Sequence, residues 1–462
     1  MKKTISRIGV GALLAVSALT FASCGSSSAT TTKKITVDDD HVINYYHTQG
    51  DALQKITDEA IAAFEADFPE YQVKQTQVGG YDDVKTKIIS DLQAGTQPDI
   101  AYCYPDHVAQ YMQTKKVVDL SQFMTSTETV TTASGATKTV GYTDAELSDF
   151  ISGYLAEGKA TNFGDYEEYG YTSTAYLTMP YVKSTDVLYY NKTALDEAGF
   201  TAPTTWDELW EQVDYFYNKY EECIPLGVDS EANWFITMCE QNGWDYTSAS
   251  YPHYKFNNDN TAAWLTTLQQ KFKANKFTTQ TMYGNYTSNL FTSGAEACIF
   301  SIGSSGGASH QASNKFEVGV AQLPGSVVDG KTVTKSISQG PDLVMLDTQS
   351  KNTEKQKMTW IFMKYLLEPE FQSKFSQNSG YISPRISVRE LASYKSFLDG
   401  DDLVAKTAKL ASQDSMIASY YTSPAFIGSS TARTQVGSVL TSVLSGSDPA
   451  TALAAAVKSC GE

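Results

Sequence analysis

Residues 42–111 read VINYYHTQGDALQKITDEAIAAFEADFPEYQVKQTQVGGYDDVKTKIISDLQAGTQPDIAYCYPDHVAQY, and two hydrophobic periods alternate along them. The opening VINYY is a β-branched and aromatic run of strand character. Leu53, Ile56, Ala60, Ala63 and Phe64 then recur at helical spacing and share one face, and the proline of FPEY stops that helix. YQVKQTQV reads as a second strand. YDDVKTKIISDLQAG reads as a helix that buries Val84, Ile88 and Leu92 and takes Gly95 as its C-cap. PDIAYCY supplies a third strand and DHVAQYMQTK a third helix. Strand–helix alternation of this kind predicts an α/β domain with a largely parallel sheet. Ligands of such sheets sit at the carboxyl ends of strands, which singles out His47-Thr48-Gln49 and Tyr104-Pro105-Asp106-His107.

Around this segment the chain carries several other signals. At 462 residues it is long enough for two or three domains. A net charge of −17 repels phosphate backbones, so nucleic acid is not an expected partner. The 29 tyrosines suit a protein that grips polar ligands by their flat faces. Met1–Arg7 is basic, Ile8–Ala18 is apolar, and LTFASC places small residues before Cys24. That is the layout of a secretory signal peptide over residues 1–23, and the apolar run falls short of the ~20 residues a membrane span needs. A buried helix or an uncleaved anchor is the alternative. The tract GSSSATTTKK reads as a flexible tether over 24–34. The remaining cysteines, Cys103, Cys223, Cys239, Cys298 and Cys460, are odd in number and contain no C-x-x-C, so they form no complete disulfide framework.

Farther along, residues 125–141 are polar and read as an exposed loop, followed by the helical stretch DAELSDFISGYLAEG. Two strand-like runs flank the polar stretch Lys183–Asp186. Thr205-Trp206-Asp207-Glu208 then has the form of a capping box. Gly303-Ser304-Ser305-Gly306-Gly307 satisfies G-x-S-x-G between a strand and a turn. A hydrolase of that type needs an acid and then a histidine downstream, whereas only His310 follows Ser305, with no carboxylate between. The better reading uses Ser304 and Ser305, with free amides at a helix start, to hold ligand hydroxyls or anions; a plain tight turn is the alternative. The histidines show no metal-ligand spacing, and no nucleotide fingerprint is present, so neither metal nor cofactor is expected.

Four segments in order resemble the maltose-binding-protein-like solute-binding proteins of ABC importers. STDVLYYNKTALDEAGFTAPTTWDEL resembles the family's L-Y-Y-N-K…P-x-T-W-x-E-L stretch, and PDIAYC its early P-D-I strand. LFTSGAEACIFSIGSSGG and WIFMKYLLEPEFQSKFSQNSGYISPR resemble two later segments. Phe21-Ala22-Ser23-Cys24 resembles a lipobox, in which the thiol is acylated and becomes the new N-terminus, although Phe21 departs from the usual Leu. The resemblance implies a periplasmic-binding-protein-like α/β fold of two discontinuous lobes joined by crossing strands, with a cleft between them and hinge closure on ligand. Mapped on this chain, the first lobe is expected at 35–181 plus 316–350 and the second at 182–315 plus 351–462.

The implied function is a lipid-anchored, extracytoplasmic, monomeric receptor that catalyses nothing. It would capture a sugar or oligosaccharide for permease subunits and touch the membrane through the lipid alone. A secreted carbohydrate-active hydrolase is the rival reading. Expected ligand contacts are Gln49 and Asp106 at strand ends, Ser304 and Ser305, Tyr181 at the crossover, and Gln339 from the first lobe. Trp234 and Phe426 from the second lobe complete the set. For Trp234 the competing role is a core anchor beside Phe235, for Tyr181 a packing role at the hinge, and for Gln339 an ordinary loop.

Overall fold

The alternation along residues 42–111 forms as expected in a computed structural model that describes residues 39–348 and 352–462. The signal peptide, the tether and Cys24 lie outside the described residues. Strand Val42–His47 runs parallel to Gln72–Gln77 on one side and to Ile100–Cys103 on the other. Helix Asp51–Asp67 buries Ala60, Ile61 and Phe64. Helix Tyr81–Ala94 buries Val84, Ile88 and Leu92 and ends where Gly95 turns left-handed at φ 75°. Asp342–Met345 pairs antiparallel with Ile100–Cys103 and with Met179–Pro180, which completes a five-stranded sheet.

A second five-stranded sheet is built around Asp186–Asn191, flanked antiparallel by Phe300–Ser304 and Val318–Gln322; Leu226–Val228 and Phe277–Thr279 extend it beyond Phe300–Ser304 in parallel. Each sheet has its own apolar core. Tyr45, Phe64, Trp360 and Phe362 lie in the first, while Leu188, Phe235, Phe300 and Val436 lie in the second. This is the two-lobed α/β fold expected. The Thr205 hydroxyl accepts from the Glu208 amide while the Glu208 carboxylate accepts from the Thr205 amide, so the capping box starts helix Trp206–Lys219.

Strand pairing and packing move the lobe boundaries. Residues 316–350 were expected in the first lobe, yet Val318–Gln322 pairs with Asp186–Asn191 of the second sheet and only Asp342–Met345 joins the first. Residues 351–462 were expected in the second lobe, but Thr353–Leu366 and Pro369–Gln377 place Met358, Trp360, Phe371 and Phe375 in the first core. Helix Ser429–Leu444 does belong to the second. Residues 125–141 hold a small hairpin, Thr129–Thr131 against Thr137–Thr139, rather than an unstructured loop.

The chain therefore crosses between the lobes at 180–186, 336–342 and 380–385, and these crossings are knitted together. Ser184 and Gln339 exchange backbone hydrogen bonds of 2.7 and 2.8 Å, and Lys183 and Ile382 exchange another pair of 2.8 and 2.6 Å. Gly340 lies at φ +101°, and a Cβ there would stand 2.2 Å from the Val182 carbonyl oxygen, so only glycine lets the strands approach. At this junction the Lys183 ammonium, 1% exposed, donates to Glu157 at 2.6 Å and to Asp342 at 2.9 Å. Burial alone would lower the lysine's pKa, but the Asp342 and Glu157 carboxylates hold it above its ordinary value. Replacing Lys183 with Met leaves two buried carboxylates without a cation. Removing one partner of such a group costs about 3–5 kcal/mol, so Lys183→Met is expected to lower Tm strongly in a thermal melt. A melt within a degree or two of the parent would show that the cluster does not hold the crossings together.

Candidate functional site

The cleft lies where the carboxyl ends of the second sheet's strands meet the first lobe. Leu226–Val228 delivers Asp229 and Ser230 at its end, and helix Glu231–Asn242 follows at once, with the Ser230 side chain capping the amide of Asn233. Phe300–Ser304 delivers Gly303 and Ser304, and Ser304 caps the turn Ser305–Gln311. From the first lobe come Tyr81 and Asp82 at the start of one helix and Tyr104 and Asp106 at the start of another. These groups line three adjoining hollows that share residues. Tyr104, Asp106 and Arg433 connect the first to the second, Asp229, Ser230 and Gln280 the second to the third, and Gln339 the third to the first. The hollow around Asp186, Asp229, Ser304 and Tyr381 encloses about 530 Å³, within the range of small-molecule sites.

Aromatic faces and hydrogen-bonding groups alternate around this cleft. Tyr81 stacks on Tyr104 at 4.7 Å, and its hydroxyl lies 3.3 Å from that of Tyr381 on the third crossing. The Tyr381 ring covers Gly306, where a Cβ would come within 2.9 Å of the ring. Burial raises the pKa of Tyr81, Tyr104 and Tyr381, so all three phenols stay protonated donors. Arg433 and the Gln339 side chain both donate to the Asn233 amide oxygen. Asp186 is buried, and that burial pushes its pKa up to about 6; Asp229 is also raised by burial. Burial lowers the pKa of His107, which therefore stays neutral near pH 7.

Of the residues expected from sequence, Asp106, Ser304 and Gln339 line the cleft. The others do not, for identifiable reasons. Gln49 is 3% exposed because its side chain folds back into the first core, donating to the Tyr102 hydroxyl at 2.6 Å and accepting from Thr57 at 2.6 Å. Tyr181 is buried at the hinge with its ring edge-on to Phe375. Phe426 stacks on His253 at 4.7 Å inside the second lobe. The buried Ser305 hydroxyl accepts from the Thr185 amide at 3.1 Å, a structural contact that keeps this serine out of the cleft.

Trp234 is the most instructive correction. One residue along a helix turns the side chain by about 100°, so Asn233 faces the cleft while Trp234 packs against Trp264 and Phe277 at 5.7 and 5.3 Å. Trp234 is the core anchor, and it reaches the outer groove shared with Trp206 and Trp210, not the cleft. Sequence reasoning passed over Tyr81, Asp186, Asp229, Asn233, Tyr381 and Arg433. Tyr381 stands inside the quoted NSGYISPR and Asp186 ends the polar stretch 183–186, so both were within reach of a positional argument.

Known proteins share this two-lobed fold. The family model described as bacterial extracellular solute-binding protein matches residues 59–406. The sn-glycerol-3-phosphate-binding periplasmic protein UgpB of Yersinia pestis is 22% identical over 369 residues, covering 77% of each chain. Its Escherichia coli K12 counterpart is 23% identical over 381 residues, covering 79% of this chain and 77% of its own. Among solved structures, the GacH receptor of Streptomyces glaucescens, studied unliganded and with acarbose, superposes with a TM-score of 0.70 at 16% identity, covering 90% of this chain and 97% of its own. Mycobacterium tuberculosis UgpB in complex with glycerophosphocholine gives a TM-score of 0.69 at 19% identity, with the same coverage. At such identities the structural likeness establishes the fold.

The buried Asp186 generates a pH dependence. Its folded pKa of about 6 lies above the ordinary aspartate value of 3.8, so the folded state binds more protons than the unfolded state between those values. Stability contributed by the protonated acid is present below pH ~4 and is lost as pH rises through ~6. Asp229 and Arg433 act on the same carboxyl in opposite senses and remain in the variant. Asp186→Asn is therefore expected to raise Tm relative to the parent at pH 7.5 and to lose that advantage at pH 4. A difference in Tm that stays constant across the range would show that Asp186 is not held toward its neutral form.

Proposed function

The chain belongs to the bacterial extracellular solute-binding protein family, whose members serve ABC importers, and from that premise we propose that it captures a sugar or oligosaccharide in the cleft and delivers it to membrane permease subunits. The carrying observation is the cleft's chemistry. Tyr81, Tyr104, Tyr286 and Tyr381 offer flat faces, and Asp82, Asp106, Asp229, Asn233, Gln280 and Gln339 offer hydrogen bonds in the plane of a sugar ring. Aromatic faces cover the apolar side of a pyranose, while planar polar groups fix its hydroxyls.

The UgpB relatives raise phosphate esters as a second solute class. The cleft's charge weighs against them. Lys183 is consumed by Glu157 and Asp342, His107 is neutral, and Arg433 and His310 are left among Asp82, Asp106, Asp186, Asp229 and Glu231. An anionic ester entering this lining meets net repulsion. Hinge closure follows in this reading from a solute that touches both lobes, because it stabilises the form in which both sets of contacts exist. Cys24 would carry the lipid that keeps the receptor at the outer face of the membrane.

A thermal-shift screen of mono- and oligosaccharides beside sn-glycerol 3-phosphate and glycerophosphocholine tests the solute class. A sugar at 100 times its Kd adds about 2.7 kcal/mol of stability, and it is expected to raise Tm where the phosphate esters do not. Tyr381→Ala is expected to weaken that sugar at least tenfold, about 1.4 kcal/mol. A shift confined to the phosphate esters would sink the sugar reading. For the anchor, Cys24→Ser is expected to release the protein from the membrane fraction or leave it unprocessed. A variant still membrane-bound after signal cleavage would remove the lipid from the account.

A further inference from the structure

Within the cleft, the hollow at the ends of the second sheet's strands has a lining that a neutral hydroxyl does not explain. Its deep wall presents hydrogen-bond acceptors. Asp229 spends one carboxylate oxygen, Oδ1, on the Thr287 amide at 2.6 Å and the Thr287 hydroxyl at 2.7 Å. Its other oxygen, Oδ2, lies 3.2 Å from where a Gly303 Cβ would stand, and the Gln311 amide nitrogen, Nε2, closes on the same point at 2.8 Å. Gly303 thus leaves open a small space between an acid and an amide. Gln311 is 3% exposed, lines this hollow, and its amide oxygen has no hydrogen-bond partner. Asp186, 4% exposed, lines it as well. No ion pair engages Asp186 or Asp229 among the described residues, and Arg433 is directed to Asn233 instead.

An unpartnered buried oxygen costs about 1–3 kcal/mol, and two buried carboxylates that repel one another add to that burden. A group that donates to all three and carries positive charge relieves both. A primary ammonium has three N–H donors and a unit positive charge: the charge and two donors suit the Asp186 carboxylate and the Asp229 Oδ2, and the third donor meets the unpartnered Gln311 Oε1 once that amide turns over and takes its Nε2 away from the Gly303 side. The rings of Tyr286 and Tyr381 at the mouth of the hollow add faces that attract a cation. A hydroxyl donates only once and would leave two acceptors unmet.

We propose that this hollow is a subsite for a protonated primary amine, so that the solute class is an amino sugar or an oligosaccharide carrying one. The proposal rests on the sugar reading for the rest of the ligand, while the subsite itself rests on Asp186, Asp229, Gln311 and Gly303.

The test uses the mature protein at about pH 7, where an amine of ordinary basicity is largely charged. Melting temperatures are recorded with methylammonium chloride against sodium chloride at equal ionic strength, and with glucosamine against glucose and N-acetylglucosamine. Methylammonium is expected to raise Tm above the salt control, and glucosamine to bind at least tenfold tighter than either neutral sugar. In Asp186→Asn, a variant expected to fold at least as stably as the parent, that ratio is expected to fall below twofold. In Gln311→Leu it is expected to fall in the same direction. Neutral sugars that bind as well as or better than glucosamine overturn the amine subsite and leave the sugar reading standing. Methylammonium that shifts Tm while no sugar does supports the subsite and sinks the sugar reading. No response to either amine overturns the proposal, as does an amine preference that survives in Asp186→Asn.

Discussion

The Lys183 ammonium lies between Glu157 and Asp342 at the point where the backbone leaves one lobe for the other, and its surroundings explain much of the architecture. Asp342 also accepts from the Thr178 hydroxyl at 2.7 Å, and Glu157 accepts from Ser338 at 2.7 Å and Thr422 at 3.1 Å. Two of the crossing strands, the end of the first sheet and the 422–429 loop are therefore tied to one cation. Buried ion clusters of this kind contribute little net stability compared with an apolar replacement, because desolvation offsets most of the attraction. They do fix geometry, since any register but one leaves a buried charge without a partner. At a junction of three strands, that directional constraint adds a fixed register to the apolar burial of Tyr181, Val182, Ile337 and Ile382.

The same cluster shapes the electrostatics of the cleft. By pairing Lys183 with Glu157 and Asp342, it neutralises a cation that lines the first hollow. Arg433, His310 and neutral His107 remain as basic side chains of a lining otherwise rich in carboxylates and phenols. A structural requirement at the hinge thus biases the kind of solute the cleft can hold. The overall sign of the chain, −17, runs the same way but says nothing about position; the pairing of one lysine does.

What could be read from the sequence divides along the range of the interactions. Val42–His47, the Gly95 cap and the Thr205–Glu208 capping box are set by neighbours within a few residues, and local pattern placed them correctly. The fold class followed from their alternation. Val318–Gln322 was assigned to the wrong lobe because its partner, Asp186–Asn191, lies more than a hundred residues away and an alternating strand does not announce its sheet. The cleft residues show the same limit at finer scale. Asp106 at a strand end was legible, but Gln49, also at a strand end, turns inward because Tyr102 and Thr57 satisfy its amide. Asn233 and Trp234 are adjacent and differ only in the side of the helix they occupy. Choosing between them needs the packing of Trp264 and Phe277, which no window around position 233 contains.

Away from the crossings the lobes meet through the Gly164 amide, which donates to the Ala425 carbonyl at 2.7 Å, and through side-chain contacts that are partly exposed. Lys85 donates to the Ser430 hydroxyl at 3.0 Å, and the Tyr81 and Tyr381 hydroxyls meet at 3.3 Å. Contacts of this type contribute about 0.5–1.5 kcal/mol each, far less than the cluster at the hinge would lose by breaking. The ordering of these energies has a mechanical consequence. Breaking such contacts costs less than breaking the cluster, so in the proposed capture by closure, bending about the Lys183 junction is the easier motion and a shift of strand register the harder one. In that proposed capture, a solute that adds a few kcal/mol of contacts to both walls decides the position of the lobes. The groups available for those contacts, Tyr81, Tyr104 and Asp106 on one side and Asp229, Asn233 and Ser304 on the other, come from both lobes.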